Sequence, residues 1–104
     1  MRPSLAVEES LRALGTDIRS ARLKRRLPQA IVAERSGISL NTLSKIEKGD
    51  PGVSIGNIAS VLQSIGLLSR LTQLASAGED EAGLLLEERN LPQRIRLKKK
   101  PAAL

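Results

Sequence analysis

The sequence predicts an all-α fold: five short helices, room for a short sixth, and a basic C-terminal tail. Three observations carry that prediction. Apolar residues recur at i, i+3 and i+4, the spacing of one helix face, and no segment sustains the strict alternation of a strand. The apolar residues are almost wholly aliphatic, with no Phe, Trp or Tyr. Gly and Pro fall at short intervals between the periodic segments and punctuate them.

Taken in order, residues 1–9 read as an N-terminal extension. Residues 11–27, LRALGTDIRSARLKRRL, place Leu11, Leu14, Ile18, Ala21 and Leu23 near one stripe, with Gly15 weakening the helix slightly. Pro28 disfavours helix in the residue before it and suits the first turn of the next, so a second helix starts at Pro28 or Gln29. It ends near Ser36, where Gly37 serves as C-terminal cap. Ser39 is a natural N-cap for a third helix over Leu40–Lys48. Gly49-Asp50-Pro51-Gly52 is a strong stop. Ser54 caps a fourth helix over 55–65, with Ile55, Ile58, Ala59, Leu62 and Ile65 on one face, and Gly66 ends it. A fifth runs over 67–75, and a sixth lies within 79–88 around Leu84, Leu85 and Leu86. From Asn90 on, two prolines and a lysine run read as a flexible tail. Within it, Arg94-Ile95-Arg96 alternates charge with an aliphatic residue, a pattern that suits a short strand against a partner. The expected organisation is a helical domain over 10–76, an acidic leucine-rich segment over 77–89, and the basic tail over 90–104.

Composition narrows the chemistry. The chain has 104 residues, no Cys and no His. That leaves no disulfide, no thiol nucleophile, no imidazole base and no ordinary zinc site, so neither metal, cofactor nor enzymatic activity is expected. Without aromatic residues, an RNA-stacking module is disfavoured too. No apolar run approaches the roughly 20 residues of a membrane span, and the first apolar stretch is too short for a signal peptide. The expected location is the cytoplasm.

The net charge of +6 is unevenly distributed. Residues 10–49 hold nine basic and three acidic side chains; residues 79–88 hold five acids and no base; residues 89–104 hold six bases and no acid. A basic field of this kind favours a polyanion partner. The plainer alternative is a set of solvated helix faces. The same choice attends the RLKRR cluster at 22–26: Lys24 fits a solvated helix end, whereas Arg25 and Arg26 suit phosphate contacts.

The stretch SGISLNTLSKIEKG is the most informative. Two short helices joined by a glycine turn form a helix-turn-helix. Ala33 is small where the helices cross, and Val32, Ile38, Leu43 and Ile46 fall at inward spacings. Outward on the third helix remain Leu40, Asn41, Ser44, Lys45 and Lys48, with Ser39 and Thr42 adding hydroxyls beside them. Asn can read adenine, Lys can read guanine, and a leucine can touch a thymine methyl, so such a face suits base edges in a major groove.

The segment LPQAIVAERSGISLNTLSKIEKG resembles the helix-turn-helix of the lambda-repressor-like, or XRE, family, with Gln29, Ala30, Ala33, Gly37, Ser39, Leu43, Ile46, Glu47 and Gly49 at matching positions. The resemblance covers about residues 11–75. It implies that Gln29 bonds a phosphate and braces the recognition helix, and that Ser39, Asn41 and Lys45 make the main DNA contacts, flanked by Leu40 and Ser44. It also implies a structural ion pair between Arg22 and Glu47. Pro28 departs from the family, which often has Ser or Thr there. A dimer on a palindromic operator is a further implication, with Leu67, Leu71, Leu84 and Leu85 available for its seam; their alternative is ordinary core.

The stretch EKGDPGVSIG followed by the Leu-Pro-Gln-Arg-Ile-Arg tail resembles the antitoxins of HipBA-type toxin–antitoxin pairs. That resemblance implies a HipB-like repressor of its own operon that also holds a HipA-like kinase toxin inactive, with Arg94, Ile95 and Arg96 available to the partner. A stand-alone XRE-type repressor and a protein-interaction adaptor on the same fold are the competing readings.

Overall fold

The computed structural model describes the backbone of residues 2–99 and the side chains of residues 2–90. The described residues are helical and contain no strand. In order come α1 (Leu5–Lys24), α2 (Gln29–Ser36), α3 (Leu40–Lys48), α4 (Ile55–Ser64), α5 (Leu68–Leu71), a 3-10 turn (Ala77–Glu79) and α6 (Glu81–Lys99). Two compact units divide the chain, the first ending at Leu71 and the second beginning at Thr72.

In the first unit, α1 starts earlier than the sequence suggests and absorbs most of the supposed N-terminal extension. Ser4 caps it by accepting the Val7 N–H at 3.2 Å, and Glu8 in the first turn complements the helix dipole. The helix also stops earlier, at Lys24. Arg26 adopts a left-handed φ of 55° there, so residues 25–28 form a turn rather than a last helical turn.

The inward stripe of α1 differs from the expected leucine stripe. Its buried residues are Gly15, Ile18 and Arg22, with Leu11 half-buried, while Leu14 and Leu23 face solvent. Positions 11, 15, 18 and 22 are one helical face. A glycine and an arginine occupy two of its four places, which conceals it from a count of apolar residues.

Helices α2 and α3 form around the residues that their termini demand. Pro28 is the N-cap of α2 and provides no side-chain bond. Gly37 closes α2 at φ 71°, a conformation that a Cβ would burden, and the Ile38 N–H returns to the Ala33 carbonyl at 3.0 Å. Ser39 caps α3 by accepting the Thr42 N–H at 3.0 Å.

The core is small and aliphatic: Ile18, Val32, Ala33, Leu43, Ile46, Val61, Leu62 and Ile65. Helix α1 packs on α3, α2 on both α3 and α4, and α5 on α4. On α4 the inward set is Ile58, Val61, Leu62 and Ile65. Ile55, expected on that face, is 65% exposed at the first position of the helix, one turn short of the core. The fifth helix is a single turn. Leu67 and Leu71 lie against the core of their own unit, so the ordinary-core alternative accounts for both.

In the second unit, the 3-10 turn leads into α6. Asp80 supports the helix start, its carboxylate accepting the Gly83 N–H at 3.0 Å and its carbonyl accepting the Leu84 N–H at 2.8 Å. The helix then continues through Pro92 to Lys99. The described part of the expected flexible tail is therefore helical, the backbone at Arg94, Ile95 and Arg96 included. Leu, Glu, Arg, Gln and Lys on either side are good helix formers, whereas Pro92 lacks an N–H and crowds the preceding turn. The side chains of Arg94, Ile95 and Arg96 lie outside the described residues, as does the segment 100–104.

Candidate nucleic-acid interface

The site begins with the way α3 is seated. Leu43 is fully buried, and Ile46 and Glu47 are 4% and 7% exposed. These three fix which side of the helix is left over. Leu40, Asn41, Lys45 and Lys48 are exposed, and Thr42 and Ser44 are half-buried at the edges of the face. One continuous surface thus offers an amide, two ammonium groups and an aliphatic side chain. Those are the groups that read base edges in the major groove.

Two glycines let α3 lie backbone-to-backbone against α1. A Cβ at Gly15 would fall 2.5 Å from the Ile46 carbonyl oxygen and 2.6 Å from that of Glu47. A Cβ at Gly49, which has φ 80°, would fall 2.6 Å from the Cα and the N of Arg12. Contacts that short do not occur between real atoms, and their far side is main chain that cannot swing away. In the sequence, Gly15 is visible only as a weak point in a helix. The signal available there was its place on the face of Ile18 and Arg22.

A buried polar network fixes the orientation of α3. The Arg22 Nε donates to Glu47 Oε2 at 2.6 Å and its Nη2 to Oε1 at 3.1 Å, a two-pronged pair. The third prong, Nη1, donates to the Leu27 carbonyl at 2.9 Å, which ties the turn after α1 into the same network. Gln29 Nε2 donates to Glu47 Oε1 at 3.1 Å, so α2 joins it as well. The pair is almost wholly out of water, with side chains 7% and 4% exposed. Among the described residues no buried side-chain nitrogen or oxygen lacks a partner. A pair satisfied on every side holds geometry well, and removing one partner leaves an uncompensated charge.

Ser39 turns its hydroxyl to the helix start, capping Thr42 and donating to Thr42 Oγ1 at 2.9 Å. Gln29 stands at the start of α2, engaged with Glu47 on the side that braces α3. Arg25 and Arg26 are exposed in the turn before α2, with Arg25 donating to the Ala21 carbonyl at 3.0 Å. Leu84 and Leu85 are 43% and 61% exposed on α6, beside Leu86 at 55%. No group of metal-ligating side chains gathers among the described residues, and no described helix is long and apolar enough to cross a membrane.

No curated protein and no solved structure gives a significant match to this chain. A family model described as helix-turn-helix matches residues 18–70. The matched span runs from the buried Ile18 of α1 through α2, α3 and α4 to α5, and so takes in the core, the turn and the exposed face together. The chain therefore belongs to the XRE-type, lambda-repressor-like helix-turn-helix family of DNA-binding regulators.

Proposed function

We propose that the protein is a sequence-specific transcriptional repressor that binds a palindromic operator as a homodimer, with Leu40, Asn41, Ser44, Lys45 and Lys48 presented to the major groove and Ser39, Thr42, Gln29, Arg25 and Arg26 at its margins. The observation that carries this reading is the exposed face of α3, set in place by the buried Arg22–Glu47–Gln29 network. Dimerisation is supported by the three adjacent exposed leucines Leu84, Leu85 and Leu86, apolar surface that a second copy could cover. The protein would act in the cytoplasm, where the operator lies.

The finer reading is that of a HipB-like antitoxin that represses its own operon and neutralises a HipA-like kinase toxin. It is supported by the EKGDPGVSIG stretch and the Leu-Pro-Gln-Arg-Ile-Arg sequence. Titration of the duplex upstream of its own gene tests the repressor role: nanomolar binding that a scrambled duplex does not match supports it, and equal binding to both removes it. Purification from the native host tests the antitoxin role. A kinase-like protein retained by the full chain and lost on deletion of residues 90–104 supports it; recovery of the chain without such a protein leaves a stand-alone repressor.

A further inference from the structure

Beside the reading face, the structure brings together four cations that the motif does not account for as a group. Arg2 precedes α1, Arg12 lies on its second turn, and Lys45 and Lys48 come from the end of α3. All four line one open depression of about 600 Å³, together with the carboxylates of Glu8 and Asp50. The Gly49 approach places the Arg12 backbone directly against the C-terminus of α3. Arg12 is thereby carried on the same surface as Lys45, although it is far from the motif in sequence.

Lys45 and Lys48 complement the dipole at the end of α3, but that does not account for Arg2 and Arg12 beside them. The end of α3 is closed by main chain, the Gly49 N–H reaching the Ile46 carbonyl at 3.0 Å and the Asp50 N–H the Lys45 carbonyl at 2.9 Å. The lysines are not needed as caps. Of the two carboxylates, Asp50 accepts the Gly52 N–H at 2.7 Å and so serves its own turn, and Glu8 lies 3.9 Å from Arg2. Four cations against two carboxylates leave the depression with a net positive charge, which favours an anion from outside.

We propose that this depression seats a backbone phosphate of the bound duplex, with Arg12 as its principal ligand and Arg2 and Lys48 beside it. The proposal rests on the DNA-binding reading above. The phosphate fixes the register in which α3 meets the base edges, and it carries no sequence information of its own. An exposed N-terminal stretch and a residue outside the recognition helix then become part of the DNA-binding surface.

The test is fluorescence anisotropy of the full chain on its operator duplex and on a scrambled duplex, from 50 to 200 mM salt, for wild type, Arg12→Gln, Arg12→Lys and Arg70→Gln. Arg70 lies on α5, outside the depression, and controls for loss of one positive charge anywhere. The expected result is that Arg12→Gln lowers the steepness of log affinity against log salt by roughly 0.9, the increment of one phosphate contact. Operator and scrambled duplex weaken by the same factor. Arg12→Lys keeps the wild-type slope, and Arg70→Gln changes it much less. An unchanged slope in Arg12→Gln overturns the proposal, and so does an equal change in Arg70→Gln, since the effect would then belong to the overall field. Wild-type preference for the operator with no Arg12 effect defeats this inference alone, whereas no preference in wild type defeats the sequence-specific reading.

Discussion

Gly15→Ala separates packing from helix propensity, because the two predict opposite signs. An alanine in mid-helix ordinarily stabilises by about 1 kcal/mol over glycine. In this chain the added methyl would meet the Ile46 oxygen at 2.5 Å, the Glu47 oxygen at 2.6 Å and the Glu47 carbon at 2.8 Å. All three are main-chain atoms of α3, so relief requires moving the helix rather than rotating a side chain. Overpacking of a tight interior costs about 1–3 kcal/mol, and contacts to rigid backbone on three atoms belong at the upper end. The net is a loss of about 2 kcal/mol once the propensity gain of ~1 kcal/mol is subtracted. For a domain of this size that corresponds to a fall of about 8–16 °C in the thermal midpoint. Urea unfolding followed by circular dichroism gives the free energy, and a thermal scan gives the midpoint. A variant as stable as wild type, or more so, refutes the close α1–α3 approach on which the placement of α3 depends.

Further outcomes follow from the same geometry. Glu47→Ala strands the Arg22 guanidinium in the interior and is expected to cost about 3–5 kcal/mol by urea unfolding, while the double change Arg22→Met with Glu47→Leu recovers most of that loss. If the single and double variants unfold alike, the pair does not orient α3 as described. Leu84→Glu with Leu85→Glu is expected to turn a dimer into a monomer in sedimentation equilibrium without lowering the melting midpoint of the first unit. An unchanged mass would move the dimer seam elsewhere.

The helix-turn-helix was legible because its signals are local. Pro28, Gly37, Ser39 and Gly49 each announce a helix end through their own backbone or hydroxyl chemistry, and the inward positions of α3 are plainly aliphatic. The inner face of α1 was not legible, since two of its four places are held by Gly15 and Arg22, one buried because it is small and the other because it is paired. Periodicity counts neither as apolar. The family resemblance supplied the Arg22–Glu47 pair, which no spacing rule could have given. On α4, Val61 was missed in favour of Ile55 because the stripe was started one turn too early. Two prolines and a lysine run suggest a flexible tail, yet the residues around Pro92 are strong helix formers and α6 continues past it. The α1–α3 depression was out of reach because Arg12 and Lys48 are joined only by tertiary packing.

The central claim is that the outward side chains of α3 read a sequence. Selection from a randomised duplex pool, run in parallel with wild type and Asn41→Ala, tests it most directly. The account predicts that wild type enriches one palindromic site and that Asn41→Ala still binds but loses discrimination at one base pair per half-site, by about 1–3 kcal/mol. Identical enriched sites from both proteins, or no enrichment by wild type, would contradict it.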